Sequence, residues 1–507
     1  MFDVAIVGAG IAGLATAARL QAAGLRTLII EAHGIPGGCA GYFRRSGFSF
    51  DVGATTLVDF EPGGVGGELL SEIGMPGVEG DALPGYVAWL PDRRVTLYRD
   101  GGRWAQERLR AFGDTPAHRS LWRLFDRIAG AFWGASRRGV KLPIQGPADA
   151  LRAARALGLS NLPLARYLNW TVGDALRARG LRNDEPLCGL LAMLVEDTVH
   201  ATLDQAPLIN GVLGATIRGA GLTRARGGMS GFIRRFVAHY RRLGGTLRAA
   251  TTVTAVRGRS GDFTLETTRG PFRADKVVCA LPAQLAAGIA PPEVGEALRP
   301  YLLRDEDHLG GAVVVFLGVK ESDVEGQELT HHQILEHYDE PLGEGNNMFI
   351  SVSSHGDLES APAGHRAVML STHCELSPWA GLAQADYALR KRAISERLQS
   401  LARRVYPNLA RAPVVREVAT PCTYERFTRR PRGAVGGVRL SLRNSNQQAI
   451  PHDVGVPGFW LCGDTTWPGL GTVACVLGSA IVASAVAGDA VPSRGHAALP
   501  IRSPDAL

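Results

Sequence analysis

The start of the chain alternates apolar and small residues in the order strand, helix, strand. An apolar run from Val4 to Val7 precedes three glycines and an alanine-rich segment that ends near Ala23, and a second apolar run leads to Glu31. Short apolar runs bounded by glycine are typical of buried strands, whereas the longer alanine-rich segment favours a helix. This pattern predicts a complete βαβ unit.

Three further stretches of the chain have recognisable hydrophobic patterns. Helical periodicity runs through 106–220, while 291–440 alternates apolar strands such as 311–319 with helical patterns such as 387–405. Near the C-terminus, the apolar run 473–488 is rich in Ala, Val, Gly and Ser. It is shorter than the roughly 20 residues that a membrane span needs, so we expect a buried helix.

The composition is that of a globular chain that needs many tight turns. The 507 residues are 45% hydrophobic and 20% charged, and they include 63 glycines without a collagen-like or low-complexity repeat. We expect two domains, since a domain usually contains about 100–200 residues.

The positive charge is carried almost entirely by arginine. The net charge is +7, and the basic residues include four lysines (Lys141, Lys276, Lys320, Lys391). No block of five or six consecutive basic residues occurs, so we expect no nucleic-acid partner. The charge suits a phosphate-bearing cofactor or a phospholipid surface.

Cysteine spacing and the N-terminus bear on the cellular compartment. The seven cysteines are scattered singly without a CxxC pair, which is not the spacing of a disulfide framework or a zinc site. Asp3 stands where an export signal carries basic residues. The sequence therefore predicts reduced thiols and a cytoplasmic protein.

The glycines after the first apolar run have the spacing of a dinucleotide-binding turn. Gly8 permits the tight turn, Gly10 lets a pyrophosphate approach the backbone, and Gly13 lets the helix pack closely on the strand. The start of the helix offers free N–H groups to phosphates. Glu31 ends the second strand and is placed to accept a hydrogen bond from a ribose hydroxyl.

Two further glycine-rich stretches extend this chemistry. Gly37 and Gly38 follow the acidic residue and precede an alternating hairpin over 41–52, which a nicotinamide-only fold rarely has. Near the C-terminus, WLCGDTTWPGLGTV separates an apolar strand from the predicted helix. A helix cap explains part of this loop, but Gly463 and Asp464 at the end of the strand indicate a chemical role.

These motifs together resemble the FAD-dependent phytoene desaturase and carotenoid isomerase family, within the two-domain flavoprotein class that includes amine oxidases. The resemblance lies in the GxGxxG turn, the acidic residue, the glycine pair before AGYF, the strand FSFDVGAT and the loop LCGDTTWPGLGTV. It covers nearly the whole chain. The stretches 41–64, 196–215 and 420–437 are most similar to the carotenoid 3′,4′-desaturase and prolycopene isomerase branch.

The resemblance implies an α/β fold with an FAD-binding Rossmann-like (GxGxxG) domain plus an α+β substrate domain, both discontinuous in sequence. The implied segments are 1–105, 221–290 and 440–490 for the FAD-binding domain, 106–220 and 291–439 for the substrate-binding domain, and 491–507 for a disordered tail.

FAD is the implied cofactor, held by three separated segments. By resemblance, Asp464 bonds the ribityl or pyrophosphate region, Val253 meets the adenine through its backbone, and Gly471 begins the last helix beneath the isoalloxazine ring. A helix N-terminus there would stabilise the negative charge of the reduced ring. The expected FAD contacts are Gly8, Gly10, Ile11, Ala12, Gly13, Glu31, Ala32, Gly37, Gly38, Cys39, Gly53, Ala54, Val253, Gly463, Asp464, Gly471, Thr472 and Val473.

The implied activity is that of an FAD-dependent carotenoid desaturase, with hydride transfer from a long apolar polyene to flavin N5 in a cavity that needs nothing hydrophilic. Oxygen or a quinone is the expected electron acceptor, since the sequence lacks a second dinucleotide fingerprint.

A cis–trans isomerase or a retinoid-type saturase using reduced flavin would share these motifs. A non-enzymatic lipid escort on the same scaffold is the alternative from another class, while an amine oxidase is disfavoured because the cofactor-linking cysteine context is missing.

The sequence assigns no catalytic side chain. Glu196, Asp197 and His200 are candidates for acid–base work, although acidic residues that cap a helix explain them equally well.

The stretch 330–341 contains a set of side chains that could suggest a metal site: His331, His332, Glu336 and His337. In a strand the outer two histidines would lie too far apart for one ion, and in a helix the HExxH register is missing. We expect no metal here, and a solvent- or channel-facing strand instead.

The segment 151–183 interleaves leucine and aromatic residues with six arginines. This pattern fits a helical face on an anionic bilayer, and it fits an ordinary pair of soluble helices equally. Peripheral contact with the inner face of the membrane is therefore a hypothesis.

Overall fold

The computed structural model describes residues 1–488, so the predicted tail 491–507 lies outside the described residues. The described part contains nineteen strands: β1 Phe2–Val7, β2 Thr27–Ile30, β3 Tyr42–Arg45, β4 Phe48–Asp51, β5 Leu57–Val58, β6 Gly80–Ala82, β7 Gly85–Trp89, β8 Arg94–Tyr98, β9 Leu222–Ala225, β10 Thr246–Arg248, β11 Val253–Arg259, β12 Asp262–Thr267, β13 Phe272–Cys279, β14 Gly311–Lys320, β15 His331–Leu335, β16 Asn347–Val352, β17 His365–Cys374, β18 Val415–Ala419 and β19 Phe459–Leu461.

Fourteen α-helices lie in the same described range: α1 Ile11–Ala22, α2 Val65–Glu72, α3 Gly101–Phe112, α4 Pro116–Arg137, α5 Pro147–Leu157, α6 Val172–Arg177, α7 Glu185–Val199, α8 Leu208–Ala215, α9 Gly228–Arg242, α10 Ala283–Ile289, α11 Pro292–Asp305, α12 Gln384–Ala402, α13 Pro421–Thr428 and α14 Thr472–Ala487. None of the helices in residues 1–488 is long and apolar enough to cross a membrane.

The first sheet has a parallel centre built from segments far apart in the chain. Its order is β10, β2, β1, β13, and β13 also pairs in parallel with β19 and antiparallel with β12. The strand β11 pairs antiparallel with β12 at the edge of the sheet. Residues Val4 to Ile6 of β1 are fully buried, as expected for a parallel strand covered on both faces. The predicted βαβ unit and α/β fold are confirmed.

Helices α1 and α14 pack on each other and on this sheet. The predicted apolar C-terminal helix is α14, and it is largely buried. The guanidinium of Arg19 in α1 links the helices: its Nη1 donates to Ser479 Oγ at 2.7 Å and its Nε to Glu72 Oε2 at 2.6 Å. These partners offset the hydration that the buried guanidinium loses.

The second sheet has the order β18, β14, β17, β16, β15, β7, β8, and β7 pairs in parallel with β15. One face of β14, with Val313 and Val315, packs under α12, while Val314 and Phe316 face the other way. We propose that the first cofactor segment ends before β7 rather than at residue 105, because β7 and β8 belong to this sheet.

The hairpin β3–β4 connects the two sheets. It forms as the alternating pattern predicts, but β4 is buried on both of its faces. Phe48 and Phe50 pack against β14, and on the other face Asp51 pairs with Arg224 at 3.2 Å. Asp51 also accepts a hydrogen bond from the backbone N–H of Met229 at 2.8 Å. The acidic residue of this strand therefore serves internal pairing.

The layer from α3 to α8 confirms the helical character predicted for 106–220. The segment 151–183, treated in sequence as one helical face, is instead divided. Helix α5 ends at Leu157, Gly158 has φ +80°, a 3₁₀ helix spans Leu159–Tyr167, and α6 follows. The left-handed glycine ends α5 because a continuing helix cannot contain that conformation.

Candidate active site

The carboxyl ends of β1, β13 and β19 meet at one edge of the first sheet, the usual ligand position in α/β folds. A cavity of about 930 Å³ begins at this edge and extends to the apolar face of the second sheet. Its wall includes the first glycine turn, the 463–473 loop and residues of β14 and β17.

The first glycine turn has the geometry that its sequence predicts. Gly8 has φ +103°, and a Cβ at Gly13 would overlap the Gly8 carbonyl oxygen. A Cβ at Gly10 would instead meet no atom within 4 Å in the described structure. The space in front of Gly10 is therefore open to a ligand. No side chain of the described residues caps α1, which leaves its first N–H groups for an anion.

The second glycine pair packs directly on this turn. The Gly37 N–H donates to the Ala9 carbonyl oxygen at 2.8 Å, and a Cβ at Gly38 would lie 3.2 Å from Gly10 Cα. Glu31 Oε2 accepts from the Ala9 N–H at 2.7 Å. The carboxylate retains acceptor capacity for a ribose hydroxyl, because two oxygens offer about four lone-pair sites.

The hairpin residues complete the wall beside the glycine pair. A Cβ at Gly53 would come within 2.5 Å of the Cys39 carbonyl oxygen, so this close approach requires glycine. Ala54 and Val253 also line the cavity, and Val253 is the first residue of β11.

The C-terminal loop closes the site from the side of β19. Gly463 and Gly471 have φ values of +143° and +105°, which favour glycine. The Thr472 hydroxyl at the start of α14 is buried and has no hydrogen-bond partner in residues 1–488. An unpaired hydroxyl beside an uncapped helix N-terminus fits the polar edge of a flavin that becomes negatively charged on reduction.

The structure brings the eighteen predicted FAD contacts together. Seventeen of them line the cavity, while Gly13 lies behind it against Gly8 and Ala280. Their individual contacts with FAD stay a prediction.

Sequence reasoning missed Arg430, which enters this site from the turn after α13. Its Nη2 donates to Asp464 Oδ2 at 2.6 Å, and both side chains are nearly buried. Burial opposes the charge of Arg430, but the Asp464 carboxylate outweighs it and raises the pKa of the guanidinium. No local signal distinguishes this arginine from its neighbours in RFTRRPR, because its partner lies in a distant segment.

The three acid–base candidates lie at the C-terminal end of α7, where Glu196 and Asp197 are in the last turn and His200 is the C-cap residue. Acidic residues stabilise the N-terminal end of a helix, so capping does not explain Glu196 and Asp197. Asp197 and His200 line the cavity, whereas Glu196 lies behind His373, 3.5 Å from its Nδ1. Burial, together with the neighbouring His373, lowers the pKa of His200 well below its usual value. His200 is therefore a neutral imidazole at ordinary pH, able to accept a hydrogen bond.

The histidine-rich stretch forms a buried strand. His331 and His332 in β15 are fully buried, so the strand does not face solvent. Gln333, the next residue of β15, lines the cavity, which fits the channel-facing alternative. His332 Nε2 lies 3.0 Å from the Tyr406 hydroxyl, which accounts for its burial. The described residues contain no group of three or more side chains suited to a metal ion.

Comparison with known proteins identifies one family, and prolycopene isomerases and phytoene desaturases are among the relatives. The sequence pattern described as flavin containing amine oxidoreductase matches residues 11–487. Chloroplastic prolycopene isomerase from Daucus carota is 24% identical over 96% of this chain and 80% of its own length. Lycopene-forming phytoene desaturase from Paracoccus sp. is 26% identical over 94% and 95% of the two chains.

A solved structure supports the fold. Cyclohexylamine oxidase from Brevibacterium oxydans superposes with a TM-score of 0.60 at 15% identity, over 96% of this chain and 98% of that one.

We expect Gly10→Ala to bind FAD at least tenfold more weakly, about 1.4 kcal/mol, while the protein stays folded. The added methyl group meets no protein atom, and φ of −68° suits alanine, but the pyrophosphate needs that space. Fluorescence titration of the flavin-free protein with FAD measures the dissociation constant. Gly130→Ala is the control, because Gly130 is exposed in α4 and a Cβ there would also meet no atom within 4 Å in the described structure. Unchanged affinity in G10A would contradict the assigned pyrophosphate position.

Proposed function

The chain belongs to the family of flavin containing amine oxidoreductases and is an FAD-dependent enzyme, and from that premise we propose that it desaturates a long polyene. The observation that carries the proposal is the cavity that joins the glycine turns to an apolar wall. Ala312, Val314 and Phe316 of β14 and Met369 of β17 form that wall. Such a surface suits a hydrocarbon chain, whose binding is favoured by burial of apolar area.

The relatives support the same substrate class. The isomerase and desaturase names both refer to carotenoids, and both similarities extend over at least 94% of this chain. Their identities are near 25%, so the reaction itself is part of our proposal.

Desaturation removes a hydride and a proton from neighbouring carbons, and the protein has to accommodate both. Bound FAD would supply the hydride acceptor and pass the electrons to oxygen or a quinone. The apolar wall holds the reacting carbons and excludes water, which positions them with little need for side-chain chemistry. His200 lines the cavity, with His373 and Glu196 beyond it, and its neutral ring can accept a hydrogen bond. Burial lowers its pKa and opposes a lasting positive charge there, so any proton that it accepts must pass on.

Carotenoid cis–trans isomerisation is the second candidate, because prolycopene isomerases match nearly the whole chain. It would use the same cavity and return the electrons to the polyene. The two reactions therefore differ in net oxidation rather than in the residues that hold the substrate.

Anaerobic mixing of the holoprotein with phytoene or prolycopene separates these reactions. We expect loss of the oxidised-flavin absorption together with lengthening of the chromophore of phytoene. Conversion of prolycopene to the all-trans form without net oxidation, by protein carrying reduced flavin, would instead establish the isomerase. The flavin-poor variant G10A is the control for non-enzymatic change. A protein that is colourless and cannot be reconstituted with FAD, or one that alters neither polyene, would contradict the proposed function.

The surface segment 144–168 is proposed to contact an anionic bilayer. It exposes Leu151 by 51%, Leu159 by 81% and Leu168 by 48%, and Ile144 and Leu162 are also exposed. Arginines 152, 155 and 166 in the same segment are exposed as well. Exposed leucines with neighbouring arginines suit a membrane surface that carries anionic headgroups.

Flotation with liposomes in low salt tests this contact. We expect the holoprotein to float with anionic vesicles and less with neutral ones, and Leu159→Glu with Leu162→Glu to reduce flotation at least fivefold, because the charges oppose insertion. Leu389→Glu is the matched control, since Leu389 is 66% exposed on α12 outside this segment. Wild-type protein that stays at the bottom, or equal loss in the control, would contradict the proposal.

A further inference from the structure

Arg218 is a buried cation in the wall of an otherwise largely apolar cavity. It lies between α8 and β9, is 3% exposed, and lines the cavity. Its Nε and Nη1 have no hydrogen-bond partner in the described part of the chain. Its ion-pair partner Asp197 lies 3.7 Å from Nη2, which is too long for a hydrogen bond. The guanidinium also lies 4.7 Å from the centre of the Tyr86 ring.

Another buried arginine shows what structural pairing looks like in this protein. The Nε of Arg224 is also unpaired among the described residues, but this side chain, 4% exposed, lies 3.2 Å from Asp51 and donates to the Thr55 carbonyl oxygen at 3.2 Å. Arg218 is stripped of water to the same extent without such contacts. A buried charge is costly unless it is paired and hydrogen-bonded, and burial accordingly lowers the pKa of Arg218. Arg218 therefore lacks the acceptors that a purely structural arginine has.

A second unpaired polar side chain lines the same cavity. Gln333 is 3% exposed, and its Oε1 has no hydrogen-bond partner within residues 1–488. Gln333 and His331 lie on the same face of β15, because side chains alternate along a strand. The His331 ring stacks on Tyr86 with a centroid distance of 5.0 Å, and Tyr86 lies beneath Arg218. The two unpaired groups thus belong to one polar end of the cavity.

We infer that Arg218 binds a carboxylate at one end of the polyene substrate, an inference that rests on the proposed function. The guanidinium offers parallel N–H donors that match the two oxygens of a carboxylate. The Nε2 group of Gln333 can donate a further hydrogen bond, whereas its Oε1 is an acceptor and cannot bond a carboxylate. The wall of β14 and β17 receives the hydrocarbon part. The inferred substrate is therefore a polyene that carries a carboxylate at one end, whereas the sequence led us to expect a cavity that needs nothing hydrophilic.

A matched set of polyene probes tests this inference on the holoprotein. Retinoic acid, methyl retinoate and retinol share one hydrocarbon skeleton and differ at the terminal group. Binding is measured by perturbation of the flavin spectrum at neutral pH, where the acid is ionised. We expect the acid to bind at least tenfold more tightly than the ester, and retinol to bind with about the same affinity as the ester.

Variants assign that preference to Arg218. We expect Arg218→Met to weaken binding of the acid at least tenfold and binding of the ester less than twofold. Arg218→Lys should retain part of the preference for the acid, because it keeps the positive charge. Arg273→Met, which removes an exposed arginine from β13, should leave the ratio unchanged. Flavin content and circular dichroism show whether each variant is folded. If R218M does not fold, the inference is judged from the acid-to-ester affinity ratio of the wild-type protein and of R218K.

The outcomes separate this inference from the proposed function. If the ester or retinol binds as tightly as the acid, or if R218K and R218M keep the full preference, the carboxylate site is wrong while polyene binding stands. If none of the three probes binds and neither phytoene nor prolycopene is altered, the polyene assignment itself fails.

Discussion

The pairing of β13 with two strands from opposite ends of the chain is the constraint on which the site depends. On one side β13 runs parallel to β1, which leads into the glycine turn, and on the other to β19, which leads into Gly463. Parallel strands expose their carboxyl ends at a common edge. This pairing therefore fixes the loop 463–473 beside Gly10, and the packing of α14 on α1 holds it there. The cofactor site is a consequence of sheet order.

Two buried arginines in the cavity wall differ in how completely their charges are paired. The pair Arg430–Asp464 is compensated, so it joins the turn after α13 to the end of β19 without needing a ligand. Arg218 is under-compensated, and its unpaired N–H groups make the polar end of the cavity receptive to oxygen atoms. Because a buried unpaired group costs more than a paired one gains, such a position is informative about what binds there. Apolar surface between these two points suits the hydrocarbon part of the substrate.

The sequence predicted best where local chemistry and structure coincide. The first βαβ unit, the hairpin and the buried helix α14 follow from hydrophobic period and glycine spacing, and most of the predicted cofactor residues line one cavity. Arg218 and Arg430 could not be recognised, because their burial in the cavity wall depends on segments that are distant in sequence. The placement of β7 and β8 depended on a long-range parallel pairing with β15. Residues 151–183 were misjudged because arginine spacing outweighed the glycine at 158, whose φ of +80° ends α5.

Hydrogen–deuterium exchange of backbone amides, with and without FAD, most directly tests whether the separated segments form one site. We expect FAD to slow exchange in 8–13, 37–54 and 463–473 together, with the same dependence on FAD concentration. That result would follow from one ligand ordering loops that sheet pairing has already brought together. Protection confined to 8–13, with 463–473 unchanged at saturating FAD, would contradict a site shared by both ends of the chain.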